Sequence, residues 1–137
     1  MEPDSQHDKP AIAPEQAPMR EDGRSAINSA AITRLREIAG DDSTFLNEVF
    51  SIYLTDTAKR LVELRNALAT GDAKAVKRTA HTIKGSSLNV GADILTAYCR
   101  QLEQMAESGK LDGAAELIAQ IEQESKRVAV ELNRFLQ

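Results

Sequence analysis

The 137-residue chain has no tryptophan, two tyrosines and three phenylalanines, so aromatic residues make up only 4% of it. Strands draw heavily on aromatic and β-branched side chains, whereas alanine and leucine are frequent here. The balance favours helices packed on helices over a sheet protein. A single cysteine, Cys99, excludes an intramolecular disulfide framework and a thiolate metal cluster. The two histidines, His7 and His81, lie far apart and form no His-x-x-x-His ligand pair. No apolar run approaches ~18 residues, and the polar beginning has no signal-peptide pattern. No basic block stands out in a chain of net charge -4, which argues against nucleic acid as a partner. The expectation is a soluble protein of a reducing compartment, most simply the cytoplasm, with no membrane attachment.

No proline follows Pro18; Pro3, Pro10, Pro14 and Pro18 are the full set. Residues 1–26 are otherwise rich in Glu, Asp, Gln, Ala and Ser, with few large apolar side chains. Such a segment cannot bury enough surface to offset the entropy of ordering it, so the sequence predicts a disordered tail or linker there. Residues 27–137 read as a folded body.

Within that body the apolar residues recur at helical spacing. Asn28 or Ser29 caps a short first helix carrying Ile32, Leu35 and Ile38, closed by Gly40. Asp41, Asp42 and Ser43 begin a long helix with the stripe Leu46, Val49, Phe50, Tyr53, Thr57, Leu61, Leu64 and Leu68, ended by Gly71. Asp72 caps a third helix whose core positions are Ala73, Val76, Ala80, Ile83, Ser87 and Val90. A fourth runs from about Ala92 to Glu107 through Leu95, Tyr98, Cys99, Leu102 and Met105. A fifth runs from about Leu111 to Leu136 through Ala114, Leu117, Ile118, Ile121, Ser125, Val128, Leu132 and Phe135. The loops are short, so the prediction is an all-α fold: an up-down-up-down four-helix bundle with a short extra N-terminal helix.

The third helix carries the chemistry. His81, Lys84 and Gly85 share a face, because neighbours at +3 and +4 lie on one side of a helix. That face is opposite the stripe of Ala80 and Ile83, which predicts an exposed imidazole. A mid-helix glycine costs roughly 1 kcal/mol against alanine, so Gly85 asks for a reason. A triad role for His81 needs a nucleophile on its own side, and Ser86 points away. A metal site needs further ligands that the sequence does not offer. A phosphoryl acceptor needs only an exposed ring nitrogen, a cation and room for a partner. Lys84 supplies the cation, Lys77 and Arg78 widen the positive field, and Gly85 removes an obstruction. Taken alone, Lys77 and Arg78 read more readily as a solvated face than as a docking element, and Cys99 as a small core residue.

Ala80-His81-Thr82-Ile83-Lys84-Gly85-Ser86-Ser87, followed by Asn89-Val90-Gly91-Ala92, closely resembles the histidine-containing phosphotransfer (HPt) domains of bacterial phosphorelays. The likeness extends to Gly40-Asp41-Asp42 before Phe45-Leu46 and to Cys99-Arg100-Gln101-Leu102-Glu103, and spans about residues 28 to 136. It implies a monomeric four-helix bundle in which His81 takes a phosphoryl group from an aspartyl phosphate on one receiver domain and passes it to the aspartate of another. By the same resemblance Lys84 stabilises the phosphoryl oxygens and Gly85 permits docking; by their place around His81, Lys77, Arg78 and Leu88 are the candidates to meet the partner. Glu103 falls where relatives place a polar side chain near the histidine, and some carry glutamine there. The protein itself would hold no cofactor, since the Mg²⁺ of the transfer belongs to the receiver. Its partners would be response-regulator receiver domains, and a hybrid sensor kinase if such a kinase feeds the relay. It would be a carrier, not a kinase.

Two rival readings belong to other classes. One is a degenerate bundle that binds a receiver without being phosphorylated; the intact His81, Lys84 and Gly85 argue against it. The other is the dimerisation domain of a sensor kinase. That reading lacks an ATP-binding domain, a phosphate-cradling glycine loop and an acidic residue after the histidine, where Thr82 stands.

Overall fold

The computed structural model describes residues 25–40 and 42–135. The reading of the proline-rich tail therefore lies outside the described residues for 1–24, as do those on Asp41 and Leu136.

Five helices follow one another: α1 (Ser29–Ala39), α2 (Ser43–Ala69), α3 (Ala73–Asn89), α4 (Asp93–Glu107) and α5 (Ala114–Asn133). Among the described residues there is no strand, and no helix is long and apolar enough to cross a membrane. The starts of the first three are written in the sequence. The side chains of Asn28, Asp42 and Asp72 accept from the backbone N–H groups of Ala30, Phe45 and Ala75. Each cap satisfies a donor that the helix leaves unpaired, a contribution of about 1 kcal/mol apiece. α2 runs unbroken through Thr55-Asp56-Thr57, as the absence of proline and glycine there requires.

α3 packs on both α2 and α4, α5 packs on α4 and α2, and α1 lies against α2. Between them lies one core, with Phe50, Leu64, Ile83, Leu95, Leu102, Ile118, Ile121 and Leu132 fully enclosed. Phe50 meets Phe135 edge-on at 6.3 Å, and the Arg36 guanidinium covers the other ring, 5.1 Å from its centroid. The Arg65 fork closes on both oxygens of Glu122 at 2.9 and 2.7 Å, joining α2 to α5 at the surface.

The structure departs from the sequence reading at four places. Ile38 is exposed, and Ala31 takes the buried position on α1 beside Ile32, because the short helix offers the bundle a narrower face than its apolar spacing suggests. Glu124 is wholly buried on the α5 stripe, between Ile121 and Val128, and accepts from Arg127 at 3.2 Å. α5 begins at Ala114 instead of about Leu111, after Gly113 in a left-handed conformation. The packed body also reaches back to Ser25, ahead of the boundary placed at residue 27. The Glu131 carboxylate accepts from the Ser25 hydroxyl and from the backbone N–H groups of Ala26 and Ile27, and both apolar residues are buried.

Candidate functional site

α3 is positioned by what it buries. Val76, Ala80, Ile83 and Ser87 are enclosed, with Thr79 beside them. The small Ala80 and Ser87 let α3 lie close between its two neighbours. Burying that stripe turns His81 out of the bundle, and its side chain is 66% exposed.

The ring is nevertheless held. Its Nδ1 lies 2.8 Å from Oε2 of Glu103 on α4. A carboxylate only accepts, so Nδ1 carries the hydrogen and Nε2 keeps the lone pair. The other oxygen, Oε1, accepts from Lys84 Nζ at 2.6 Å. Glu103 therefore bridges the imidazole and the ammonium. The hydrogen bond from Lys84 is the main reason the Glu103 carboxyl is held below its ordinary value; burial opposes it, and the hydrogen bond from His81 adds a lowering smaller than the effect of burial. Cys99, one turn earlier on α4, is buried, and burial pushes its thiol up to about 12. It is a neutral core residue.

Gly85 is exposed on the same face, and a Cβ built on it would meet nothing within 4 Å. The glycine is thus not demanded by packing inside the molecule. Leu88, a turn further on, is 56% exposed. Lys77 is paired with Glu107 of α4, a partner that sequence reasoning missed because it depends on the register between two helices. Arg78 is exposed and, with Thr82, lines an open groove between α3 and α2, whose α2 wall includes Arg60 and Glu63. His81, Lys84, Glu103 and Gly85 are thus brought into one patch, with Lys77, Arg78 and Leu88 on the neighbouring turns of α3. Chemically, the patch offers a nucleophilic ring nitrogen of fixed tautomer, a cation beside it and open space for a second protein.

Residues 48–131 match the family model described as the Hpt domain. The chain belongs to the Hpt domain family. Histidine-containing phosphotransfer protein B (HptB) of Pseudomonas aeruginosa PAO1, known from a crystal structure, superposes with a TM-score of 0.75 at 34% identity, covering 80% of this chain and 92% of its own. Histidine-containing phosphotransfer protein 2 of Arabidopsis thaliana is 29% identical over 73% of this chain and 67% of its own length. Histidine-containing phosphotransfer protein 4 of the same plant is 26% identical over 75% and 84%. Hpt membership makes the chain a protein of histidine phosphotransfer in two-component phosphorelay signalling.

Proposed function

We propose that this protein carries a phosphoryl group on Nε2 of His81, taking it from the aspartyl phosphate of one receiver domain and delivering it to the aspartate of another. One observation carries the reading. The exposed imidazole has its Nδ1 committed to Glu103, which leaves Nε2 for the phosphorus, with the Lys84 ammonium on the same carboxylate. The phosphotransfer names of all three relatives point the same way.

The geometry supports a role for each residue in this reading. His81 is the nucleophile. Lys84 pairs with the incoming phosphoryl oxygens, and Gly85 leaves the space through which a receiver approaches. Lys77, Arg78 and Leu88 flank that approach. The protein needs no cofactor of its own in this scheme; Mg²⁺ sits in the receiver, and the carrier has no kinase activity. It acts as a cytoplasmic monomer, and a hybrid sensor kinase is a fitting source of the donor receiver.

An up-down-up-down course of the four long helices is part of the proposal. The pairs His81–Glu103 and Lys77–Glu107 progress in opposite directions along α3 and α4. Phe50–Phe135 and Arg65–Glu122 do the same for α2 and α5, with Phe135 just past the end of α5. The test of function is transfer of label from a phosphorylated receiver domain, with label expected on the wild type and none on His81→Gln.

A further inference from the structure

Lys77, Arg78 and Lys84 stand within about a turn of His81 on α3, and both lysines are already engaged. Lys77 is paired with Glu107 and Lys84 with Glu103, carboxylates of α4. Arg78 is exposed, and among the described residues no carboxylate pairs with it. The same holds for Lys74, four residues earlier and so on the same face of the helix. We infer that Lys74 and Arg78 are specificity-determining residues that receive carboxylates of a docking receiver domain on the α2 side of His81, and so decide which receivers this protein serves. The inference rests on the carrier reading above and deepens it by naming the chemistry of the partner surface.

The helix gives these two charges no reason of its own. α3 has no acidic residue in its first turn, where the positive end of the helix dipole favours anions, and Lys74 stands there instead. Lys74 and Arg78 are neighbours of like charge at i and i+4, which repel one another. Both placements work against the fold, and no carboxylate among the described residues offsets them. Across the groove, the α2 acids Glu63 and Asp56 turn to Arg60 instead, at 3.0 and 3.5 Å.

The two sides of His81 therefore differ. On the α4 side each lysine is closed by a carboxylate. On the α2 side Arg78 and Thr82 line an open groove of about 520 Å³, whose far wall includes Arg60, Glu63 and Asn66. Arg78 stands three residues before His81, so a carboxylate that meets its guanidinium docks within one helical turn of the imidazole. Such a contact lies at the rim, and rim charges act on the rate of encounter and its salt dependence. A receiver that presents carboxylates here is drawn on, and one that presents lysine or arginine is repelled.

The test is the initial rate of label uptake from a phosphorylated receiver domain that labels the wild type, kept dilute so that encounter limits the rate. The variants are Arg78→Gln, the double variant Lys74→Gln/Arg78→Gln, and Lys126→Gln. Lys126 is an exposed cation of α5 at the groove between α2 and α5, away from α3, so its loss changes the net charge as Arg78→Gln does. At about 0.1 M salt the double variant is expected to be roughly tenfold slower than wild type, with Arg78→Gln between the two and Lys126→Gln near wild type. At about 1 M salt the screening length has fallen from about 10 Å to about 3 Å, and the rates should converge. Thermal midpoints of Arg78→Gln and the double variant should stand at or above wild type, because uncompensated charges are gone. A double variant no slower than Lys126→Gln, a deficit that persists at about 1 M salt, or a midpoint below wild type overturns the inference. A wild type that takes label from no receiver of a panel would instead overturn the carrier reading, a result that shows before any variant is compared.

Discussion

The phenol of Tyr53 and the hydroxyl of Ser87 lie 2.8 Å apart inside the bundle, tying α2 to α3 half a turn beyond Gly85. Both side chains are buried. Burial is the main reason the phenol is pushed above its ordinary value, so it stays protonated. Removing one partner strands the other, at a cost of about 1–3 kcal/mol. Tyr53→Phe and Ser87→Ala should each destabilise the fold in urea by about that amount, while the double variant should lose clearly less than the sum. Strict additivity would show that the pair contributes nothing as a pair.

Gly85 has no steric duty within the molecule, because its missing Cβ would stand in open space. Gly85→Ala should therefore raise stability by about 1 kcal/mol through helix propensity alone, seen as a higher midpoint in thermal denaturation. Gly85→Gln should leave the helix intact by circular dichroism yet slow transfer from a receiver. Unchanged transfer by the Gln variant would remove partner access as the reason for the glycine.

Gly91, at the turn from α3 to α4, is the opposite case. Its φ is +79°, and a Cβ there would lie 2.6 Å from Ala31 Cβ and 2.9 Å from the Asn28 carbonyl oxygen. The Gly91 carbonyl in turn accepts from the Asn28 N–H at 2.7 Å, which seats the start of α1 on this turn. Gly91→Ala combines left-handed strain with a backbone clash and should cost about 2–4 kcal/mol in chemical denaturation. A loss under about 1 kcal/mol would mean that α1 shifts freely and is not seated as described.

The helices and the outward turn of His81 were legible because both depend on local periodicity. Ala80 and Ile83 continue a buried stripe, and His81, which follows Ala80, must face away from it. What depends on register between helices was not legible from periodicity. The bridging of His81 and Lys84 by Glu103, and the capture of Lys77 by Glu107, need residues far apart in sequence to arrive at the same height. Family resemblance pointed to Glu103, but its hold on both partners emerges only from packing. Glu124 was missed for another reason. It stands three residues after Ile121 and four before Val128, at the spacing of the stripe, but its charge hid it from a search for apolar side chains. That spacing was the available signal. Ile38 erred in the opposite sense: an apolar residue at helical spacing is buried only where a neighbour reaches it.

The most direct measurement is transfer of radioactive phosphate from a phosphorylated receiver domain, resolved by the chemistry of the product. The account predicts label on wild-type protein that is lost in acid, survives in base and maps to His81, with none on His81→Gln. Failure of the wild type to take label from any of a panel of receivers would contradict the carrier reading. Label persisting on His81→Gln would contradict His81 as its site.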